Sequence, residues 1–196
     1  MIAPFCFAKR KTFMKKLELY EVSEKYISYL RTFDNYVLSS KDGNRTHTRK
    51  YLGVVLQIND YNYYVPLSSP KHTDYQLING KPKIRKSVIP IIRITSLSSS
   101  GEEELKGTLK FSNMIPVPNS ELTIYDVENE LDKKYKALIQ KELLFIRKNR
   151  ERIIKNAITI YNQKTQKLPN ITYLDNTVNF ILLEQKHDEF LTLRSK

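Results

Sequence analysis

A chain of 196 residues is long enough to bury one substantial core and short of the length at which two independent domains usually form, so one domain is expected. Lysine and arginine outnumber aspartate and glutamate by 33 to 21, a formal charge of +12, and that excess points to a polyanionic partner, with nucleic acid the first candidate. The lone Cys6 excludes an internal disulfide framework and a cysteine zinc cluster, and it fits a reducing, cytoplasmic setting.

In chain order, residues 1–13 read as an N-terminal extension to a domain spanning 14–196. The stretch from Met1 to Ala8 is mildly apolar, but Lys9, Arg10 and Lys11 follow the apolar part, the reverse of a secretory signal. No later segment approaches the length of a membrane span, and no membrane partner is expected. Alternation over 17–22 predicts a first strand. Ser23 then offers an N-cap for a short amphipathic helix over 24–33, with Tyr26, Ile27, Leu30 and Phe33 as its buried stripe. A polar, basic loop over 39–49 follows, holding His47 among Arg45, Arg49 and Lys50.

Residues 51–58 are rich in β-branched and aromatic side chains, Asn59-Asp60 is a polar two-residue break, and 61–65 resumes the pattern, which predicts a hairpin. Pro66 has no amide hydrogen and suits the frayed end of its second strand. Directly after it come Ser68, Ser69, Pro70 and Lys71. The two hydroxyls can donate to and accept from phosphate oxygens, the proline stiffens the segment, and the lysine supplies a point charge. The same residues also make an ordinary Ser-Pro turn with a solvated lysine.

An irregular segment through Arg85 is followed by an apolar run over 88–95 that reads as a buried strand despite Pro90. Residues 96–104 read as a surface loop. Strand segments are predicted over 107–111 and 114–117, around a break at Ser112-Asn113, and over 122–125. From 131 onward the pattern is helical: 131–147 carries Tyr135, Leu138, Ile139, Glu142, Leu143 and Ile146 at helix spacing, and a second helical stretch over 149–167 follows a bend near Asn149. A final helix is predicted over 176–193. Around the bend Arg147, Lys148, Arg150 and Arg152 form a basic run, which either tracks a phosphate backbone or is a solvated helix face.

The common enzyme constellations are missing. There is no glycine-rich phosphate loop and no Gly-x-Ser-x-Gly elbow, and His47, His72 and His187 are scattered singly, so no metal site and no cofactor are predicted. Thirteen tyrosines and eight phenylalanines accompany the positive charge, as in surfaces that stack single-stranded RNA, although core strands use the same residues.

Several separated stretches, from about residue 17 to 190, converge on one family. They are Leu19-Tyr20-Glu21-Val22-Ser23-Glu24-Lys25-Tyr26, Tyr51-Leu52-Gly53-Val54-Val55-Leu56, Val65-Pro66-Leu67-Ser68-Ser69-Pro70-Lys71, Leu109-Lys110-Phe111 with Asn113-Met114-Ile115-Pro116, Leu144-Phe145-Ile146-Arg147, and Asn179-Phe180-Ile181-Leu182-Leu183-Glu184. In these the chain resembles the ToxN/AbiQ toxins of type III toxin-antitoxin and phage abortive-infection systems. The resemblance implies an α+β fold, a strongly twisted antiparallel sheet packed by several helices as in Kid/MazF-like toxins. It implies a sequence-specific endoribonuclease, held inactive in a protein-RNA hetero-oligomer by a small repeat-derived antitoxin RNA, with cellular and phage RNA as substrates. The family's Pro-Leu-(Ser/Thr)-Ser-Pro-Lys segment belongs to its active site, which carries over onto Ser68, Ser69 and Lys71. A family lysine before the Phe/Tyr-Ile-Gly strand falls on Arg49, with Lys50 adjacent, so both stay as catalytic candidates. A family tyrosine further upstream falls on Arg45, where the pattern departs. Arg45, His47, Arg147, Lys148, Arg150 and Arg152 complete the set as RNA-binding candidates. The reaction expected is metal-independent, with the RNA 2′-hydroxyl attacking its own 3′-phosphate to leave a 2′,3′-cyclic phosphate and a 5′-hydroxyl. A non-catalytic RNA-binding module that keeps the same fold is the alternative.

Overall fold

The structure, a computed structural model, describes residues 17–40 and 47–194. The predicted extension over 1–13 and the candidate Arg45 lie outside the described residues.

The hairpin forms as its sequence dictates. Strand β2 (Lys50–Ile58) and strand β3 (Tyr61–Ser68) pair antiparallel around Asn59-Asp60, with Ile58 opposite Tyr61, and Asn59 takes the positive φ of 51° that such a tight turn needs. Strand β1 (Glu18–Val22) adds to the free edge of β2, and its end runs straight into helix α1 (Glu24–Arg31), whose first turn is capped by the Ser23 hydroxyl accepting from the Tyr26 amide at 3.2 Å. The helix stops at Arg31, so Phe33 falls beyond it and is 42% exposed rather than part of the buried stripe.

Two further strands extend the hairpin's other side. Ser68 is still in β3, so the strand runs past Pro66, which sits opposite Tyr51, and does not fray there as the proline suggests. The extension is held by strand β7 (Glu103–Lys110), on which Leu109 and Thr108 face Leu67 and Ser68. Strand β6 (Ile91–Leu97) pairs with β7, the short β8 (Ile115–Pro116) pairs with β3, and β9 (Leu122–Ile124) pairs with β1. The result is a seven-stranded antiparallel sheet in the order β6-β7-β3-β2-β1-β9, with β8 also on β3. The predicted irregular segment before β6 holds a separate hairpin, β4 (Tyr75–Ile78) with β5 (Lys81–Ile84).

Among the described residues four helices complete the α+β architecture. Helix α2 (Lys133–Lys148) packs on β6 and β7, α3 (Arg150–Thr165) on β2, and α4 (Phe180–Arg194) on β8 and α1. The predicted bend is Asn149, the residue that separates α2 from α3. Tyr26, Tyr51, Tyr63, Phe111 and Phe180 are fully buried where these layers meet. One buried carboxylate there is fully satisfied, since Glu184 accepts from the hydroxyls of Tyr63 at 2.7 Å and Tyr161 at 2.8 Å. No described helix is long and apolar enough to cross a membrane.

Candidate active-site cleft

β3 pairs with β2, β7 and β8, so its C-terminal end is held from both sides, and it delivers Ser68 to a cleft of about 320 Å³. One wall of the cleft is the approach to β2, with His47, Thr48, Arg49 and Lys50. The floor is the end of β3 and its continuation, from Leu67 to Pro70, beside Lys106 of β7. The other wall is one stripe of α2, namely Tyr135, Leu138, Ile139 and Glu142. Those four positions are spaced as one face of a helix over two turns.

Arg49 is 3% exposed, and its guanidinium organises the floor. It donates from Nε to the Ser39 carbonyl at 2.8 Å and from Nη1 to the Leu67 carbonyl at 3.0 Å and the Ser68 hydroxyl at 2.7 Å. Because Ser68 Oγ accepts from a guanidinium, its own proton is left to be donated to something in the cleft. Lys50, next along β2, is held differently. Its ammonium is ion-paired with Glu21, donates to Thr48 Oγ1 at 3.2 Å, and lies 4.2 Å from the centroid of the Tyr125 ring. Burial works against the charge on Glu21, but hydrogen bonds from Lys50 and Thr48 and the Lys50 charge outweigh it and hold the carboxyl below its ordinary value. The geometry therefore separates the two candidates left open by the sequence: Arg49 reaches the Ser68 hydroxyl, and Lys50 is anchored to β1.

Ser69 is exposed at the cleft floor. Lys71 is exposed two residues further on, outside the cleft lining. The turn between them is fixed from below: the Lys71 amide donates to Asp74 Oδ2 at 2.9 Å, and Asp74 in turn is ion-paired with the buried Arg93 at 3.0 Å. His47 stacks face to face on Tyr135, with ring centroids 3.8 Å apart and planes 2° from parallel, and its Nε2 is 3.5 Å from Asp132 Oδ2.

The basic run does not share one surface. Arg147, at the end of α2, lines a groove with Leu17, Glu18 and Tyr125. Arg152, in the first turn of α3, lines a different depression with Arg85, Lys86 and Asn149, and donates to the Ser87 carbonyl at 3.4 Å. Lys148 is exposed and Arg150 half-buried between them. None of the four lines the cleft.

The polar lining residues Thr48, Lys106, Tyr135 and Glu142 were given no functional role from the sequence, the last two being read only as helix positions. For Glu142 a signal existed, a carboxylate at a core position of an otherwise apolar helical stripe. It is 5% exposed, and burial pushes its carboxyl up to about 8.

The model of the family described as toxin ToxN, type III toxin-antitoxin system, matches residues 18–188. The chain is 29% identical over 174 residues to the endoribonuclease ToxN of Pectobacterium atrosepticum, covering 89% of this chain and 94% of that protein. It is 31% identical over 170 residues to the endoribonuclease AbiQ of Lactococcus lactis subsp. lactis, covering 87% of each. Among solved structures, AbiQ, a lactococcal anti-phage endoribonuclease of the type III toxin-antitoxin class, superposes with a TM-score of 0.71 at 28% identity, over 91% of this chain and 99% of that one. A type III toxin selectively inhibited by a non-coding RNA pseudoknot superposes equally well, with a TM-score of 0.71 at 27% identity, over 90% of this chain and 98% of that one. By the extent of the family match, the chain belongs to the ToxN toxin family of type III toxin-antitoxin systems.

Proposed function

We propose that this chain is an endoribonuclease toxin acting on RNA in the bacterial cytoplasm, inhibited by direct binding of a repeat-derived non-coding RNA and serving phage defence by abortive infection. Relatives across the whole domain carry that activity, and one observation in this chain carries the reading of the site. A buried guanidinium, two serine hydroxyls and a basic rim meet at the end of the most extensively paired strand, which is a preorganised cradle for a phosphodiester.

In this reading the RNA supplies its own nucleophile. The 2′-oxygen forms a bond to phosphorus, the bond from phosphorus to the 5′-oxygen breaks, and the products are a 2′,3′-cyclic phosphate and a 5′-hydroxyl. Ser68, oriented by Arg49, and Ser69 donate to the non-bridging oxygens. Arg49 sets a positive field behind them, Lys50 contributes what its pairing with Glu21 leaves, and Lys71 adds charge from the rim as the phosphorane develops. The stacked His47 and Tyr135 rings offer a flat apolar surface for a base beside the scissile phosphate. Arg85, Lys86 and Arg152 form a separate basic depression, suited to the backbone of a longer RNA.

Growth arrest on induction of the chain without an RNA partner, with transcripts ending in cyclic phosphates, is the expected outcome. Ser69→Ala should lower the cleavage rate on the order of 100- to 1,000-fold, as for one preorganised donor, and relieve the arrest while the protein remains folded. A folded wild-type chain that binds RNA and cuts none would instead identify a binding module.

A further inference from the structure

Glu142 is a buried carboxyl with an unusual lack of company. It makes no hydrogen bond or ion pair with any described residue, and desolvation alone accounts for its raised proton affinity. In contrast Glu184, the comparably buried glutamate of the core, is met by two tyrosine hydroxyls. A carboxyl without partners is costly to bury, so its placement calls for a reason beyond packing.

The backbone opposite makes room for it. A Cβ at Gly107 would stand 2.3 Å from Glu142 Oε1 and 3.3 Å from the Ser68 carbonyl oxygen, so any side chain at 107 would drive the carboxyl from its position. Gly107 immediately precedes Thr108, the register partner of Ser68, and the Thr108 hydroxyl donates to the Ser68 carbonyl at 3.4 Å. The carboxyl thus lies beside the Ser68 backbone at Gly107, in the cleft that the hydroxyl oriented by Arg49 also lines. The titratable groups on the surrounding elements are His47, Arg49 and Lys50 on the approach to β2, Lys106 on β7 and Tyr135 on α2 itself. All the ionic ones are cations or a histidine, so among the described residues Glu142 is the one acidic group lining the cleft.

We propose that Glu142 is the proton donor to the leaving 5′-oxygen in RNA cleavage. This rests on the endoribonuclease reading above. As the 2′-oxygen bonds to phosphorus its proton passes to water in the open cleft. As the bond from phosphorus to the 5′-oxygen breaks, the carboxyl proton passes to that oxygen, leaving a 5′-hydroxyl and a carboxylate that recovers its proton from solvent. A carboxyl that keeps its proton near neutral pH is in the form this step needs, whereas an exposed glutamate would already have lost it.

The test separates the leaving group from everything else. Two oligoribonucleotides spanning a site mapped with the wild-type chain are compared, one natural and one with the scissile 5′-oxygen replaced by sulfur, whose thiolate departs without being protonated. Glu142→Gln should cut the natural RNA on the order of 100- to 1,000-fold more slowly than wild type, while its rate on the sulfur substrate stays within roughly tenfold of wild type. Gly107→Ala, which displaces the carboxyl without removing it, should show the same selective loss. Equal losses on both substrates, or no loss on either, would overturn the assignment. A wild-type chain that cuts no RNA at all would overturn the endoribonuclease reading itself, a different and separately visible failure.

Discussion

Glu142→Gln also makes a thermodynamic prediction that needs no substrate. The carboxyl is raised from an ordinary 4.5 to about 8 in the folded protein, so the unfolded chain gives up this proton more readily. Its contribution is therefore most favourable below pH 4.5 and is lost progressively as the pH rises toward 8. Each pH unit inside that window is worth about 1.4 kcal/mol, so between pH 5 and pH 7.5 the wild-type protein should lose roughly 3 kcal/mol of stability through this one group. Glutamine has nearly the same shape and does not titrate. The difference in unfolding free energy between variant and wild type, measured by urea denaturation at several pH values, should grow in favour of glutamine by about that amount over the same range. Subtracting the two proteins cancels every other titrating group. A difference that stays constant from pH 5 to 7.5 would show that the carboxyl is not held neutral by burial, and the reasoning would fail at its first step.

Other consequences are as direct. Arg49→Ala strands the Ser39 and Leu67 carbonyls and the Ser68 hydroxyl in a buried site, so it should cost about 3 kcal/mol or more of stability as well as cleavage, while Ser69→Ala should melt like wild type. A thermal melt of the two variants side by side checks this. Lys71→Ala should also keep the wild-type melt, since the turn is held by the Lys71 amide and not by its side chain, yet should slow cleavage; full activity would remove Lys71 from the mechanism. Cleavage should persist in excess chelator and leave cyclic phosphate ends, and 3′-hydroxyl products would contradict the mechanism. Removing Arg152 should lower the slope of log affinity for the antitoxin RNA against log salt by roughly one if that guanidinium meets a phosphate, and parallel lines for variant and wild type would exclude the contact.

Much of the fold was legible because its signals are local. The central hairpin follows from β-branched alternation and an asparagine able to adopt positive φ at 59, and the first helix from a serine cap. The second hairpin was legible too and was missed. Asn79-Gly80 is a strong two-residue turn, and both residues do take positive φ, but strands of four residues with Pro82 in one of them carry too little apolar pattern to stand out. Ser68 was expected beyond a frayed strand end because Pro66 lacks a ladder donor. Its strand continues because β7, whose Thr108 lies forty residues beyond Ser68, pairs with the far side of the segment, and no local pattern contains that partner.

The site divides along the same line. Ser68 and Ser69 were candidates because they stand at the end of one hairpin and match a family segment, and Arg49 through the family resemblance alone. The helical wall could not be assembled locally, since α2 meets β7 only through tertiary packing. What the sequence did hold was an anomaly: a glutamate at a position whose helical neighbours Tyr135, Leu138 and Ile139 turn inward. A charged residue on a solvated face needs no explanation, but one on the inward stripe must be paired, metal-bound or protonated. Among the described residues Glu142 has no such partner, and its burial raises the proton affinity of the carboxyl, the direction that favours the protonated form. The basic run divides at Asn149. Asn149 was readable as a break, but a break starts a second helix on a new axis, so Arg147 and Arg152 diverge to separate grooves, and neighbours in sequence are not a surface.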